Sequence, residues 1–453
     1  MITAKTDFSS GATKGYQCTD AGLAANVGYV HSSGGYAAAR SSRRRQLKRT
    51  LLAHEDDVLK QRDRDRVNSA SLEQQRNFTV AAWGVRKHLD FIAEHNYNVQ
   101  SGDKSLDADI EWLIANASEA ENFDIRGRFD LQDSIRLWEA GRTVGGDMLI
   151  EKSRTGAKVQ TIEFDRIRDP DKPMSPRWRN GVLQDRHGKS THFAIHRRTK
   201  FGRFEFEKTI PADRCFHFGY FSRHDQARGI SPVVAGLEKS QQADRSIDYA
   251  LGNMLIQQLF GFYLKTDEPD KENSTIKFSE GPFLAELGTD EELGAVSSDN
   301  PSSNFDAFLR HVIGIVCKCL DLPYNFYDES HTNFFGSRAA LILYLKSCRS
   351  KRRAVQRLLK AWTKWRLNYE ISQGNLVIPR SISCDRIKHD WIPIGMPYWN
   401  PTQEATAASK LIDLGMTTRT ELRRETHGDN WADVVPRQLA EEARILSEMG
   451  VTE

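Results

Sequence analysis

The chain has 453 residues, of which 39% are hydrophobic and 28% charged, so it can bury a core and divide into about two or three domains. Its formal charge is only +3, because 64 basic residues nearly balance 61 acidic ones, so nucleic-acid binding would require local clustering of charge. Its apolar runs are too short to cross a bilayer, and its six cysteines include no CxxC pair, so we expect a soluble protein of a reducing cytoplasm, without a membrane partner.

The N-terminal segment, residues 1–59, is rich in Gly, Ser and Ala before it becomes basic. This composition is typical of a mobile arm without a core of its own. Two interpretations of its cations remain open: a contact with nucleic acid or an acidic partner, and a solvated helix face. The cations are Arg43, Arg44, Arg45, Lys48 and Arg49.

Residues 60–230 contain helical patterns followed by strand patterns. Apolar residues three and four positions apart predict an amphipathic helix over residues 72–96, and LDADIEWLIANAS and DLQDSIRLWEAGRTV predict two more. Short alternating segments separated by Gly-containing turns then predict antiparallel strands in GDMLIEKS, AKVQTIEFDRI, GVLQDRHG, STHFAIHRR and GRFEFEKTI. This order is typical of an α+β domain.

Two predicted helices, at 231–258 and 304–322, enclose a small β-containing segment at 259–303. Ser231 is placed to cap the first helix, with Pro232 in its first turn. The weak apolar stripe of that helix favours packing among copies of itself over burial in a globular core. The enclosed segment contains the strand pattern FGFYLKT, further strands around TIKFSEGPFLAEL, and the acidic stretch GTDEELGAVSSDNPSSN.

A loop at 323–337 is predicted to lead into a long basic helix at 338–372. The loop presents Phe334 and Phe335, and two exposed aromatic residues would be unusual in a monomer. No Asp or Glu occurs between His331 and Tyr369, and such a helix repels itself unless an anion lies beside it. The acidic surface of a neighbouring subunit and DNA are equal alternatives for that anion. The principal helix cations are Arg338, Lys346, Arg349, Arg353, Arg357 and Lys360.

The C-terminal segment, residues 373–453, is predicted to contain two or three short helices after WIPIGMPYWN. Thr418 and Glu421 stand at the spacing of a capping box, and Gly415 is a suitable helix stop just before them. We therefore expect a helix that ends near Gly415 and another that begins near Thr418.

A search for catalytic constellations finds no phosphate-binding loop, nucleophile elbow or zinc-ligand spacing. The nearest candidate is HFGYFSRHD, where His217, His224 and Asp225 would bind a divalent ion or act as acid and base. Structural histidines are the favoured interpretation of this segment. The sequence therefore predicts no enzyme, no cofactor and no metal.

Several strings in order resemble the lambda-type family of bacteriophage portal proteins, over roughly residues 60–450. They are GGDMLIEK, VQTIEFDRI, IPADRCFHFGYFSRHDQARGISPVVAGL, NFFGSRAALILYLKSCRSKRR and WNPTQEATAASKLIDLGMTTRTELRRETHGD. The resemblance implies a portal fold: an α/β wing (60–230), two stem helices (231–258 and 304–322) around a clip (259–303), a tunnel loop (323–337), a long helix (338–372) and a helical crown or C-terminal region (373–453).

The resemblance also implies a ring of usually twelve copies at one capsid vertex, through which double-stranded DNA is packaged and ejected. Its implied partners are a terminase, head-tail connector proteins and capsid proteins, and its implied location is the virion after synthesis in the host cytoplasm. His331, Asn333, Phe334 and Phe335 would line the channel. Two alternatives are a metal-dependent nucleic-acid-processing enzyme and a scaffold or adaptor whose basic helix binds an acidic partner.

Overall fold

A computed structural model describes residues 53–154, 156–171, 175, 177–200, 202–259, 262–266, 291–295, 303–328, 333–380, 382, 387–396 and 400–448. The chain divides into two compact units, Met1–Ala53 and His54–Glu453. Apart from Ala53, every described residue belongs to the second unit. The basic residues 43–49 of the predicted arm lie outside the described part of the chain.

The second unit combines helices with antiparallel sheets, which confirms the predicted mixture of helix and sheet. The helices described are α1 (Glu55–Val58), α2 (Gln61–Asn77), α3 (Thr79–Ile92), α4 (Lys104–Ser118), α5 (Ala120–Phe123), α6 (Leu131–Gly145), α7 (Val234–Leu259), α8 (Ser303–Lys318), α9 (Phe334–Gln373), α10 (Pro401–Asp413), α11 (Arg419–Thr426) and α12 (Trp431–Glu448). The strands described are β1 (His95–Gln100), β2 (Asp147–Lys152), β3 (Val159–Glu163), β4 (Trp178–Arg179), β5 (Val182–Gln184), β6 (Ser190–Arg198), β7 (Phe204–Pro211), β8 (Cys215–Gly219), β9 (Phe262–Thr266), β10 (Glu291–Ala295) and β11 (Lys388–Pro393).

The five strands predicted between α6 and α7 are confirmed as β2, β3, β5, β6 and β7. Together with β4 and β8, which were not predicted, they form two antiparallel sheets, ordered β3-β2-β8 and β4-β5-β6-β7. Asn180 and Gly181 make the tight turn between β4 and β5, with φ values of 49° and 88°. A Cβ on Gly181 would lie 2.5 Å from the Arg168 backbone nitrogen. Only glycine fits this turn, which brings the β4–β5 hairpin against the backbone before β4.

Two predictions for the N-terminal part of this unit are wrong. The helix predicted over residues 72–96 is two helices, α2 and α3, because Phe78 adopts an extended backbone (φ −102°, ψ 109°) and buries its ring. The predicted arm also ends earlier than residue 59. Asp56 in α1 is buried, and its carboxylate accepts hydrogen bonds from Ala227 N (2.7 Å) and Asn180 Nδ2 (3.0 Å).

The segment around the predicted stem helices is described in part. Helix α7 begins at Val234 rather than at Ser231, whose hydroxyl donates to Thr143 O (2.5 Å) and accepts from Val233 N (3.2 Å). Between α7 and α8, β9 pairs with β10 in antiparallel register. Strand β10 lies in the acidic stretch for which no strand was predicted. The strands predicted around TIKFSEGPFLAEL lie outside the described residues.

The C-terminal segment adds a strand that the sequence patterns did not predict. Strand β11, which includes Trp391, pairs antiparallel with β1, from His95 opposite Pro393 to Gln100 opposite Lys388. Helices α10 and α11 are confirmed: Gly415 has φ 67° after α10, and Thr418 Oγ1 accepts from Glu421 N (3.1 Å) at the start of α11.

The core is organised around large aromatic side chains from distant parts of the chain. Trp362 of α9 contacts Trp391 and Phe123, with ring centroids 6.2 and 5.5 Å apart. Trp391 Nε1 donates a hydrogen bond to Thr363 Oγ1 (3.0 Å), so the one polar atom of this buried side chain also has a partner. These contacts fix the C-terminal half of α9 in the core.

Candidate functional site

The loop predicted before the long helix is too long, because α9 begins at Phe334. Phe334 and Phe335 belong to the first turn of the helix, so the loop predicted at 323–337 ends at Asn333. The Asn333 side chain caps this turn by accepting a hydrogen bond from Gly336 N (2.7 Å). The Phe335 side chain is 78% exposed. His331 and the side chain of Phe334 lie outside the described structure. A capped helix end therefore exposes most of one large aromatic side chain.

The exposed cations of α9 recur at spacings of three and four residues and so lie along one face of the helix. Between Lys346 and Lys364 this face extends about 27 Å, at about 1.5 Å per residue. Lys360 lies 3.7 Å from Asp390; the other members have no ion pair within the described part of the chain. We call this face the basic stripe, and its residues are Lys346, Arg349, Arg353, Arg357, Lys360 and Lys364.

The remaining cations of α9 are bound within their own subunit. Arg338 forms an ion pair with Glu404 of α10. Lys351 Nζ donates to Leu320 O and to Asp321, both at 2.9 Å, and Arg352 Nε donates to Phe91 O at 2.7 Å. Of the six cations predicted as a basic helix site, Arg338 is therefore a structural ion-pair partner, and the other five belong to the basic stripe.

Helices α7 and α8 pack against each other and expose apolar side chains. Tyr249 and Leu251 of α7 are 71% and 54% exposed, and Phe308 of α8 is 54% exposed. At the other end of α7, Ser240 Oγ donates to Gln74 Oε1 of α2 at 2.7 Å, in a buried contact. Exposed large apolar side chains on two packed helices are typical of a protein–protein interface.

His217, His224 and Asp225 do not form a metal site. His217 Nε2 lies 3.1 Å from Asp147 Oδ2, whereas Asp225 pairs with Arg223 at 3.1 Å and His224 is exposed. Within the described residues, no group of three His, Cys, Asp or Glu side chains could hold a metal ion. The three residues on which the metal-dependent enzyme alternative depended are therefore not arranged to bind a metal ion.

Asp147 instead anchors a buried clamp around Arg228. Both side chains are fully buried, and the guanidinium uses five N–H donors, two on the Asp147 carboxylate and three on the carbonyl oxygens of Ile167, Asn180 and Phe164, at 2.6 to 2.8 Å. Burial opposes ionisation of Asp147, but Arg228 and the hydrogen bonds hold its pKa well below the usual range. The clamp fixes the segment before α7 against the sheets.

A second buried network was not found from the sequence. Glu139 accepts hydrogen bonds from His88 Nε2 (3.0 Å), Arg142 Nη2 (2.9 Å) and the Tyr220 hydroxyl (2.9 Å). Burial would raise the pKa of Glu139, but Arg142 and His88 lower it to about 2. The only local signal is the Glu139/Arg142 pair at helical spacing, which is also common on solvated surfaces.

The comparisons with known proteins point to one family. Residues 40–352 match the family model described as phage portal protein, lambda family. A comparison with curated proteins finds no match. Among the described residues, no helix is both long and apolar enough to cross a lipid bilayer.

Among solved structures, the chain resembles proteins of gene transfer agent particles. One is titled "Virion of native gene transfer agent (GTA) particle" (12% identity, 78% of this chain and 92% of that chain, TM-score 0.46). Another is titled "Neck of native GTA particle computed with C12 symmetry" (10% identity, the same shares of each chain, TM-score 0.48).

Proposed function

Because the chain belongs to the lambda family of phage portal proteins, we propose that it forms a ring at one vertex of a phage capsid, through which double-stranded DNA is packaged and later ejected. Portal proteins are structural components of the virion. Family membership over residues 40–352 is the observation that carries the proposal. The exposed apolar side chains of α7 and α8 support it, because neighbouring copies in a ring would cover them.

We propose the family's domain assignment for this chain, with wing residues 60–230, stem residues 231–258 and 304–322, and clip residues 259–303. In this assignment the β9–β10 pair belongs to the clip, which would dock the terminase during packaging and the connector proteins afterwards. The tunnel loop becomes 323–333, and α9 extends the long helix of 338–372 back to Phe334. The crown or C-terminal region is 373–453.

The channel constriction is proposed at the head of α9. Phe335 is exposed at a capped helix end, and Asn333 acts as the cap that orients it. His331 and Phe334 remain proposed channel residues next to it. Duplex DNA carries one phosphate charge per about 1.7 Å of its axis, so an aromatic ring offers a contact that does not hold the moving backbone by charge. The chain would act as a passive conduit while a separate motor hydrolyses ATP.

The ring itself is tested by purifying the chain, measuring its mass by light scattering and imaging the same sample by electron microscopy. We expect closed rings with a central hole and a mass of about twelve subunits. A chain that remains monomeric at high concentration would overturn the proposal. A stoichiometric complex with an acidic protein and no ring would instead favour the adaptor alternative.

The channel assignment is tested by Phe335→Ala. We expect this variant to form normal rings but to package or retain less DNA, because the exposed ring is removed without disturbing the core. Val377→Ala is the matched control, since Val377 is also exposed (79%) and lies beyond the end of α9. Normal DNA content in particles carrying Phe335→Ala would remove Phe335 from the channel.

A further inference from the structure

The C-terminal half of α12 is exposed on all sides. Residues 436–445, 447 and 448 are all exposed, and the large apolar side chains of Leu439 and Ile445 are 60% and 43% accessible. Near its start, Arg437 lies 3.7 Å from Glu111. A helix of this length is marginal in water without tertiary packing. The segment therefore requires a surface on which to pack.

The same subunit offers an open groove of about 760 Å³ between α9, β11, α10 and α11. Its lining is largely apolar, and it includes Ile342 of α9 and Leu411 of α10, which are 55% and 39% exposed. Three members of the basic stripe stand along one side of it, and none has an ion pair within the described residues. We call them the rim cations: Lys346, Arg349 and Arg353.

Groove and helix match in length, polarity and charge. The α9 residues that line the groove run from Arg338 to Gln356, about 27 Å, and residues 436–448 of α12 span about 20 Å, at about 1.5 Å per residue. On α12, Leu439 and Ala443 lie on one face of the helix, and Glu442, three residues after Leu439, borders that face. An apolar face bordered by the Glu442 carboxylate suits an apolar groove beside cations.

We propose that the exposed half of α12 docks into this groove on a second copy of the chain. In one subunit both surfaces stay exposed, so the occupant of each is found on a neighbour. A contact between two different surfaces is heterologous, and repetition of such a contact forms a ring when the rotation between neighbouring copies closes. The inference rests on the proposed ring and names one contact that holds it together.

Disulfide trapping tests the contact directly. In the full chain, Leu439→Cys is combined with Ile342→Cys and the assembled protein is oxidised. We expect a ladder of covalent multimers in a denaturing gel. Leu439→Cys with Val377→Cys is the control, because Val377 is even more accessible than Ile342 (79% against 55%) but lies outside the groove. The single variants report links made by native cysteines. Rings without this ladder, or a link within one chain only, would overturn the docking.

A charge-reversal series provides a second test. Leu439→Asp should raise the concentration needed for half-assembly at least about tenfold, because an apolar contact is lost. Val377→Asp should not. Arg349→Glu with Arg353→Glu should weaken assembly, and adding Glu442→Arg should restore part of it. Circular dichroism checks that each subunit still folds. Unchanged assembly in Leu439→Asp would contradict the proposal.

These outcomes separate the two proposals. If wild-type rings form and neither test detects the contact, the proposed ring is supported and the proposed α12 docking is rejected. If wild-type chains never assemble, the proposed function fails on its own measurement, before any variant is made. Assembly of the wild type with a ladder specific to the Leu439 and Ile342 pair supports both.

Discussion

Arg228 illustrates how single residues hold this fold together. Its five hydrogen bonds join β2, the segment after β3, the β4–β5 turn and the segment that leads to α7. In the sequence it is one arginine in a chain with 64 basic residues. Its importance depends on a buried carboxylate 81 residues earlier, Asp147, which no local pattern reveals.

We predict that Arg228→Met destabilises the folded subunit by about 3–5 kcal/mol, because it leaves the Asp147 carboxylate buried without its partner. Chemical denaturation followed by circular dichroism measures the change. Arg223→Met is the matched control: Arg223 is half-exposed and pairs with exposed or partly exposed acids, so its loss should cost at most about 1 kcal/mol. Equal effects of the two substitutions would show that the clamp is not stabilising.

His95 gives a prediction for pH. It is fully buried, and burial lowers its pKa from 6.5 to about 4. Between these two values His95 is protonated more in the unfolded chain than in the folded chain. Its contribution to the free energy of unfolding is therefore fully present above about pH 6.5 and is lost as the pH falls toward 4. This one residue contributes about 3 kcal/mol to the loss, at about 1.4 kcal/mol per pKa unit.

The measurement is the thermal unfolding midpoint across this pH range. His95→Gln should flatten the dependence even if it lowers the midpoint at every pH, and the exposed His224→Gln serves as the control. A dependence as steep as that of the wild type in His95→Gln would contradict the assignment.

Among the elements, α9 depends on its cap. We predict that Asn333→Ala destabilises the first turn by about 1 kcal/mol, because the Gly336 N–H loses its acceptor. Hydrogen exchange at residues 334–337 should become faster, whereas Asn333→Ser should largely preserve protection. Unchanged exchange in Asn333→Ala would show that the turn does not depend on the cap.

The elements also show which parts of the fold are readable from sequence. Five of the seven strands between α6 and α7 were predicted correctly, because alternation and Gly turns are local signals. Strand β11 was missed because its partner β1 lies far away in the chain; the Tyr97 and His389 side chains, for example, are 292 residues apart. The helix break at Phe78 was also missed, since the helical spacing of apolar residues continues across it.

For the proposed site, the sequence shows the run of cations and the two adjacent Phe residues, but not what surrounds them in the fold. The absence of acidic residues over a long stretch is visible in the sequence. That Glu404 binds Arg338, that Asp390 lies beside Lys360, and that Phe335 stands on a helix rather than a loop all depend on tertiary structure.

At the scale of the whole assembly, the rim cations predict that assembly weakens as the salt concentration rises. If Arg349 and Arg353 face acidic residues of a neighbour, raising the salt concentration should increase the protein concentration required for half-assembly, because exposed charges are screened. Replacing both by Gln should weaken assembly at low salt and reduce its salt dependence. Light scattering over a range of salt concentrations measures both effects. A double variant with an undiminished salt dependence would place these cations elsewhere, for example along DNA.

Helix α9 has one more consequence for the assembly. Its 40 residues form a rod about 60 Å long, with Phe335 at one end and Trp362 set in the aromatic core near the other. A sideways force on Phe335 therefore acts as a torque about the tryptophan contacts, with a lever arm of about 40 Å. In the proposed channel, DNA that pushes on Phe335 would therefore also load the aromatic contacts at the centre of the subunit.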